Sequence, residues 1–197
     1  MILYGDLNSG NCLKVKYVAE HLRIPFRFIS VDTLSGETRT PDFLNKNVFG
    51  QIPVLELKDG RFLAQSNAIM RYLARGSRLL PDDPFAAAKV DEWLFWEQNE
   101  HEFFVAGCRF HMFYLGRSKA SRDALRVQRG EQALDFMEQA LTDREWLANG
   151  TLSIADISLV AYTQFAHEGG FDLSSRPNLT AWVRRVQTAL GLPETLH

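Results

Sequence analysis

The sequence predicts an α/β domain of βαβ-α-ββα order followed by an all-α domain. Three observations carry this. Residues 1–77 switch repeatedly between strand-like and helix-like patterning, residues 77–84 form a connector with two prolines and two aspartates, and residues 84–197 carry apolar side chains almost wholly at helical spacing.

Each element follows in order. Met1-Ile2-Leu3-Tyr4 is a short apolar strand, and Gly5 to Gly10 is turn chemistry. From Asn11 to Leu22, Val15, Val18, Ala19 and Leu22 recur at helical spacing. Pro25 to Val31 alternates apolar and polar residues as a half-buried strand does, and Thr40-Pro41-Asp42 starts a short helix with proline at its first position. Ile52 to Leu57 is a strand, Asp59-Gly60 is a tight hairpin turn, and Phe62-Leu63-Ala64 returns. Ser66 is placed to cap a helix with Ile69, Met70 and Leu73 inward. The βαβ part implies parallel strands, and the hairpin adds an antiparallel edge. In the second half a long helix is predicted over Phe85 to Leu115 and another over Ser121 to Leu141. A third begins at Ser153, and a fourth spans Asn178 to Leu190 with Leu179, Trp182, Val183, Val186 and Leu190 on one face. Ser153-Ile154-Ala155-Asp156 has the form of a capping box, with Leu152 and Ile157 placed as a hydrophobic staple.

Composition narrows the functional classes. A net charge of −2 gives no electrostatic case for nucleic acid or an anionic membrane surface. The apolar runs are far shorter than a bilayer span, and the N-terminus lacks the pattern of a secretory leader. Two cysteines make no disulfide framework, so a cytoplasmic location is expected, and no His/Cys cluster has metal-ligand spacing.

The chemistry concentrates at Ser9-Gly10-Asn11-Cys12. A strand that ends in a Gly/Asn turn and feeds a helix directs the helix's orphan N–H groups at the turn, where they favour an anion: a phosphate, a carboxylate or a thiolate. A hydroxyl and a thiol three residues apart at that place point toward sulfur chemistry.

Four segments in order resemble the cytosolic glutathione transferases, and the resemblance covers nearly the whole chain. Ser9-Gly10-Asn11-Cys12-Leu13-Lys14-Val15 resembles the active-site turn in the serine form of theta- and delta-type members. Gly50-Gln51-Ile52-Pro53-Val54-Leu55 resembles the cis-proline loop, and Gln65-Ser66-Asn67-Ala68-Ile69 the glutathione motif. Leu152 to Asp156 resembles the capping box of the family's helical domain. The resemblance implies a thioredoxin-like glutathione-binding domain over residues 1–77 and an all-helical domain over 84–197.

It also implies roles. Glutathione is the co-substrate, held as a thiolate for attack on a small apolar electrophile. A free thiol has a pKa of about 8.5, and lowering it by about two units takes about 2.7 kcal/mol. A hydroxyl donating to charged sulfur supplies about 1.5–3 kcal/mol. A helix N-terminus adds about 0.3–1 kcal/mol. Ser9 is therefore the leading candidate, as a donor rather than a nucleophile. Asn11, whose amide can donate to the same sulfur, is second. Cys12 is third, since a cysteine at a helix N-terminus is itself a candidate reactive group.

The resemblance implies that Ile52-Pro53 is cis and that the Ile52 backbone pairs with the cysteinyl backbone of glutathione, Gln51 belonging to the same loop. Gln65 and Ser66 would receive the γ-glutamyl end, Ser66 by its hydroxyl and the helix N–H groups binding the carboxylate, and Arg39 the glycine carboxylate. Phe104, His111 and Tyr114 on the long helix are candidates for the second substrate. Trp93, Phe95 and Trp96 fall where family homodimers meet, with Glu97 and Glu100 candidates for reaching across. Two other readings stay open: a glutathione-dependent peroxidase or disulfide reductase using Cys12, and a non-catalytic binding module of the same fold.

Overall fold

Strand β1 (Ile2–Gly5) organises the first part of the chain. It pairs in parallel with β2 (Arg27–Ser30) and antiparallel with β3 (Val54–Glu56), and β3 pairs antiparallel with β4 (Phe62–Ala64), so the sheet order is β2-β1-β3-β4. The right-handed βαβ crossover demands the parallel pair, and the Asp59-Gly60 turn, with Gly60 at φ 82°, makes the antiparallel one. The computed structural model describes residues 1–195, which divide into two units at Leu80 and Pro81.

In the first unit, α1 (Gly10–His21) and α3 (Ser66–Ala74) pack against each other, and α2 (Pro41–Lys46) begins at Thr40, whose side chain accepts from Phe43 N–H. Val31, Phe43 and Val54 form a small core with Tyr4 and Ile52 packed on it. Helix α1 buries Cys12, Leu13, Lys14, Val15, Tyr17, Val18 and Ala19, a much wider face than its apolar spacing predicts. Helix α3 buries Ile69, Met70 and Leu73, the three residues its periodicity selects. Ser66 does not cap this helix. It is the first helical residue, and Gln65 stands at the N-cap position with φ 69° and ψ 112°.

In the second unit the long helix starts as α4 (Pro84–Trp96), capped by Asp83 accepting from Ala86 N–H. It then widens into π-type turns over Glu97–Ala106, tightens through α5 (Gly107–Arg109), and widens again over Phe110–Tyr114. A plain helix over this stretch was the expectation. The hydrophobic period does not register a local shift in hydrogen bonding from i→i+4 to i→i+5. Helix α6 (Ala124–Ala140) is capped by Asp123 and packs against the Glu97–Ala106 segment. Helix α7 (Ile154–Thr163) is buried along its whole length, and α8 (Pro177–Leu190) packs against α6 and α7. On α8, Leu179, Trp182, Val183 and Val186 are buried as their spacing predicts. Gln187 is buried where Leu190 was expected, and Leu190 is half-buried.

The capping box forms. Ser153 N–H donates to Asp156 Oδ2 at 2.9 Å, and Ala155 N–H donates to Ser153 Oγ at 3.2 Å. Asp156 Oδ1 also accepts from Leu147 N–H and from Trp182 Nε1–H, each at 3.0 Å, so one buried carboxylate ties a loop and α8 to the start of α7. Burial pushes this carboxyl up from the ordinary range, while the bonds from Trp182, Leu147 and Ser153 oppose the shift. Among the described residues no helix is long and apolar enough to cross a membrane.

Candidate functional site

The sheet register gathers the first unit's candidate residues. Tyr4 pairs with Val54, and Val54 pairs with Ala64. The end of β1, the start of β3 and the end of β4 therefore share one end of the sheet. The turn after β1 carries Ser9, the loop before β3 carries Gln51, Ile52 and Pro53, and the residues after β4 are Gln65 and Ser66. Since β2 runs parallel to β1, its end, leading toward Arg39, also lies there.

Ser9 is the N-cap residue of α1 in extended conformation, and its side chain makes no capping hydrogen bond. Its carbonyl accepts from Cys12 and Leu13 N–H, which starts the helix. Cys12 is a different kind of group. It is 0% exposed, its sulfur accepts from Asp6 N–H at 3.4 Å, and a Cβ added to Gly5 would lie 2.5 Å from that sulfur. Burial pushes its thiol up to about 12, outweighing the help that Asp6 N–H and the Ser9 side chain give the thiolate. A buried, protonated thiol is a packing group and a poor nucleophile.

Asn11 joins the two helix starts. Its Oδ1 accepts from Ser66 Oγ at 2.9 Å and from Lys14 Nζ at 2.8 Å. Ser66 is buried, at the first position of α3. Gln65 next to it is exposed, in a left-handed conformation that costs a non-glycine residue about 1–3 kcal/mol. Its Nε2 lies 3.5 Å from Gln51 Oε1, which links the two loops at the edge of hydrogen-bond range.

The Ile52-Pro53 peptide is cis. The β1–β3 ladder begins at Val54, so strand pairing does not consume the N–H and C=O of Ile52. Asn47, which sequence reasoning missed, shapes this loop. Its Nδ2 donates to the Gln51 carbonyl at 2.7 Å, and its Oδ1 accepts from Phe49 N–H at 3.1 Å. The second bond is an Asx turn, and the Asn-x-Phe-Gly sequence was the available signal. Gly50 follows at φ 61°, where a Cβ would come within 2.5 Å of Arg39 Nη1 and 2.9 Å of the Thr38 carbonyl. Arg39 is exposed, and its Nη1 donates to the Phe49 carbonyl at 3.4 Å.

The other candidates lie in the second unit. The Phe104 ring meets Phe103 edge-on at 5.2 Å, with the Arg129 guanidinium 5.4 Å from its centroid. Tyr114 stacks on Phe110 at 5.2 Å. His111 Nε2 lies 2.9 Å from Ser121 Oγ. Ser121 gives its single proton to the Ser118 carbonyl at 2.9 Å, so His111 is the donor and carries its proton on Nε2. Glu97 is buried rather than exposed, and Glu100 pairs with Arg129 of the same chain at 2.7 Å. No group of three or more His, Cys, Asp or Glu side chains that could hold a metal occurs among the described residues.

Known proteins resemble this chain in both of its units. The model of the glutathione S-transferase N-terminal domain matches residues 8–75, and that of the C-terminal domain matches residues 119–185. Glutathione S-transferase theta-1 from Bos taurus is 34% identical, over 96% of this chain and 83% of its own length. A glutathione S-transferase from Pseudomonas fluorescens Pf-5 superposes with a TM-score of 0.94 at 44% identity, covering 100% of this chain and 98% of that one. A delta-class glutathione transferase from Nilaparvata lugens superposes with a TM-score of 0.83 at 26% identity, covering 96% and 89%.

Proposed function

The chain belongs to the glutathione S-transferase family and is a glutathione transferase, and on that premise we propose that Ser9 is the group that ionises glutathione. The observation that carries this is the state of the α1 N-terminus: Ser9 makes no capping bond to its own helix, while the neighbouring thiol of Cys12 is buried and protonated. The Ser9 hydroxyl donates to the glutathione sulfur, and the N-terminal dipole of α1 favours the charge that develops there. Asn11 supplies a second donor through its amide. The two donors and the dipole together meet the roughly 2.7 kcal/mol that a two-unit fall in thiol pKa requires, with no cationic base at the sulfur.

The remaining ligand contacts follow the same proposal. The Ile52 backbone, held by the cis-Pro53 loop, pairs with the cysteinyl residue of glutathione, with Gln51 beside it. The start of α3, with Gln65 and Ser66, receives the γ-glutamyl end, its backbone N–H groups suiting the carboxylate. Arg39 serves the glycine carboxylate. The aromatic side chains Phe104 and Tyr114, with His111, form the wall offered to an apolar electrophile. A homodimer, a cytoplasmic location and a role in detoxification complete the proposal. Two buried, unpaired cysteines suit a reducing compartment.

Turnover of Ser9→Ala and Cys12→Ser with glutathione and an aromatic halide tests the assignment. Loss in Ser9→Ala alone supports it, and loss in Cys12→Ser alone moves the enzyme to thiol-based redox chemistry. Light scattering of the purified protein checks the dimer, for which a monomer at micromolar concentration is the contrary result.

A further inference from the structure

Asn47 is 4% exposed, yet the two residues that follow it, Val48 and Phe49, are 79% and 58% exposed. Those two side chains add little apolar packing, so hydrogen bonds must hold the loop. All the polar groups of Asn47 are engaged in it. Its backbone N–H donates to the Phe43 carbonyl and its backbone carbonyl accepts from Gly50 N–H, each at 2.9 Å. Its Oδ1 accepts from Phe49 N–H at 3.1 Å, and its Nδ2 donates to the Gln51 carbonyl at 2.7 Å. An N–H can only donate and a carbonyl can only accept, so one orientation of the amide serves both partners.

The bond to Gln51 fixes more than the loop. Among the described residues the cis peptide is Ile52-Pro53, so the Gln51–Ile52 peptide before it is trans. In a trans peptide the C=O and the N–H point in opposite directions. With the Gln51 carbonyl turned toward the buried Asn47, the Ile52 N–H points away from it. The β1–β3 ladder begins at Val54 and does not use that N–H.

We infer that Asn47 is a positioning residue for glutathione: by holding the Gln51 carbonyl, it aims the Ile52 N–H at the carbonyl of the cysteinyl residue. This rests on the proposed pairing of Ile52 with that residue. Asn47 stands behind the loop and touches no reacting atom. Its effect is shared by bound substrate and transition state, so it belongs in KM more than in kcat.

Asn47→Asp tests the assignment. The carboxylate keeps an acceptor for Phe49 N–H but sets an oxygen against the Gln51 carbonyl, so the Asx turn survives and the bond to Gln51 does not. The KM for glutathione and the Kd of S-methylglutathione are expected to rise about five- to tenfold, the scale of one neutral hydrogen bond, while kcat falls less than about threefold. Asn47→Ser should show the same split, because its shorter side chain can accept from Phe49 N–H without spanning to Gln51. It carries the test if Asn47→Asp does not fold. A KM within about twofold of the parent, with unfolding at lower urea, confines Asn47 to stability and overturns the proposal. A loss that falls mainly on kcat overturns it too. Amide hydrogen exchange at Ile52 separates the two readings. Saturating S-methylglutathione should slow it more than about tenfold in the parent and less than about threefold in the Asn47 variant. Unchanged exchange in the parent places the fault in the pairing of Ile52 with glutathione. Exchange slowed equally in parent and variant leaves that pairing standing and removes the role of Asn47.

Discussion

Helices α1 and α7 both begin with a serine at the N-cap, and the two serines do opposite things. Ser153 is closed into a capping box by Asp156, which is itself buried and bonded to Leu147 and Trp182. Ser9 makes no such bond. Elsewhere Thr40, Asp83 and Asp123 cap α2, α4 and α6. Glu138 of α6 accepts from Asn178 and Leu179 N–H at the start of α8. Helix α3, like α1, has an N-cap side chain that makes no capping bond. Helices α1 and α3, whose N-cap side chains make no capping bond, meet at the Asn11–Ser66 hydrogen bond. Where the chain needs stability it closes the helix start from within. Where the proposed function has it hold an anion, that start carries no N-cap side-chain bond.

The largest expected effect breaks the closed end. Asp156→Ala leaves Trp182 Nε1–H and two backbone N–H groups without their acceptor, which should cost about 3–5 kcal/mol in urea unfolding. A change below about 1 kcal/mol would remove the contrast. Ser9→Ala should do the reverse, lowering kcat/KM about 10–100-fold while the unfolding free energy moves by less than about 0.5 kcal/mol. Both are measurable on one preparation of each variant.

Cys12 supplies a pH test of the same corner. Its folded thiol stands near 12, against an ordinary unfolded value of about 8.5. Between these values the unfolded chain loses a proton that the folded chain keeps, so this group's stabilisation is whole below about pH 8.5 and falls by about 1.4 kcal/mol per unit as pH rises toward the folded value. At pH 10 the parent should have lost about 2 kcal/mol more than Cys12→Ala, each relative to its own pH 7 value. Parallel pH profiles for the two proteins would show that the thiol is not held protonated. The smallest effect belongs to Gln65→Gly. Removing the Cβ penalty at φ 69° should relieve strain by up to about 1 kcal/mol, while the KM for glutathione rises several-fold.

The motifs at both helix starts are legible in the sequence because each is local. A capping box lies within four residues, and an uncapped turn within six. The sheet order follows from two connection rules. What stays hidden depends on other elements. Nothing in the residues around Lys14 marks it as buried, because its burial is decided by how much of α1 is covered, not by its neighbours in sequence. Ser66 reads as a cap because it precedes an apolar run, yet its hydroxyl is drawn one helix away, to Asn11. Gln187 replaces Leu190 on the inner face of α8 because its amide bonds to Gln164 and Thr195. The wide turns from Glu97 to Tyr114 keep a helix-like spacing of apolar residues, which conceals them.

The central claim is that the uncapped start of α1, through Ser9, holds glutathione as a thiolate while Cys12 only packs. Ultraviolet difference absorbance of bound glutathione at neutral pH reads the thiolate directly in the parent, Ser9→Ala and Cys12→Ala. The thiolate band should be present in the parent and in Cys12→Ala, and absent or much reduced in Ser9→Ala. A band that survives in Ser9→Ala and disappears in Cys12→Ala would contradict the account.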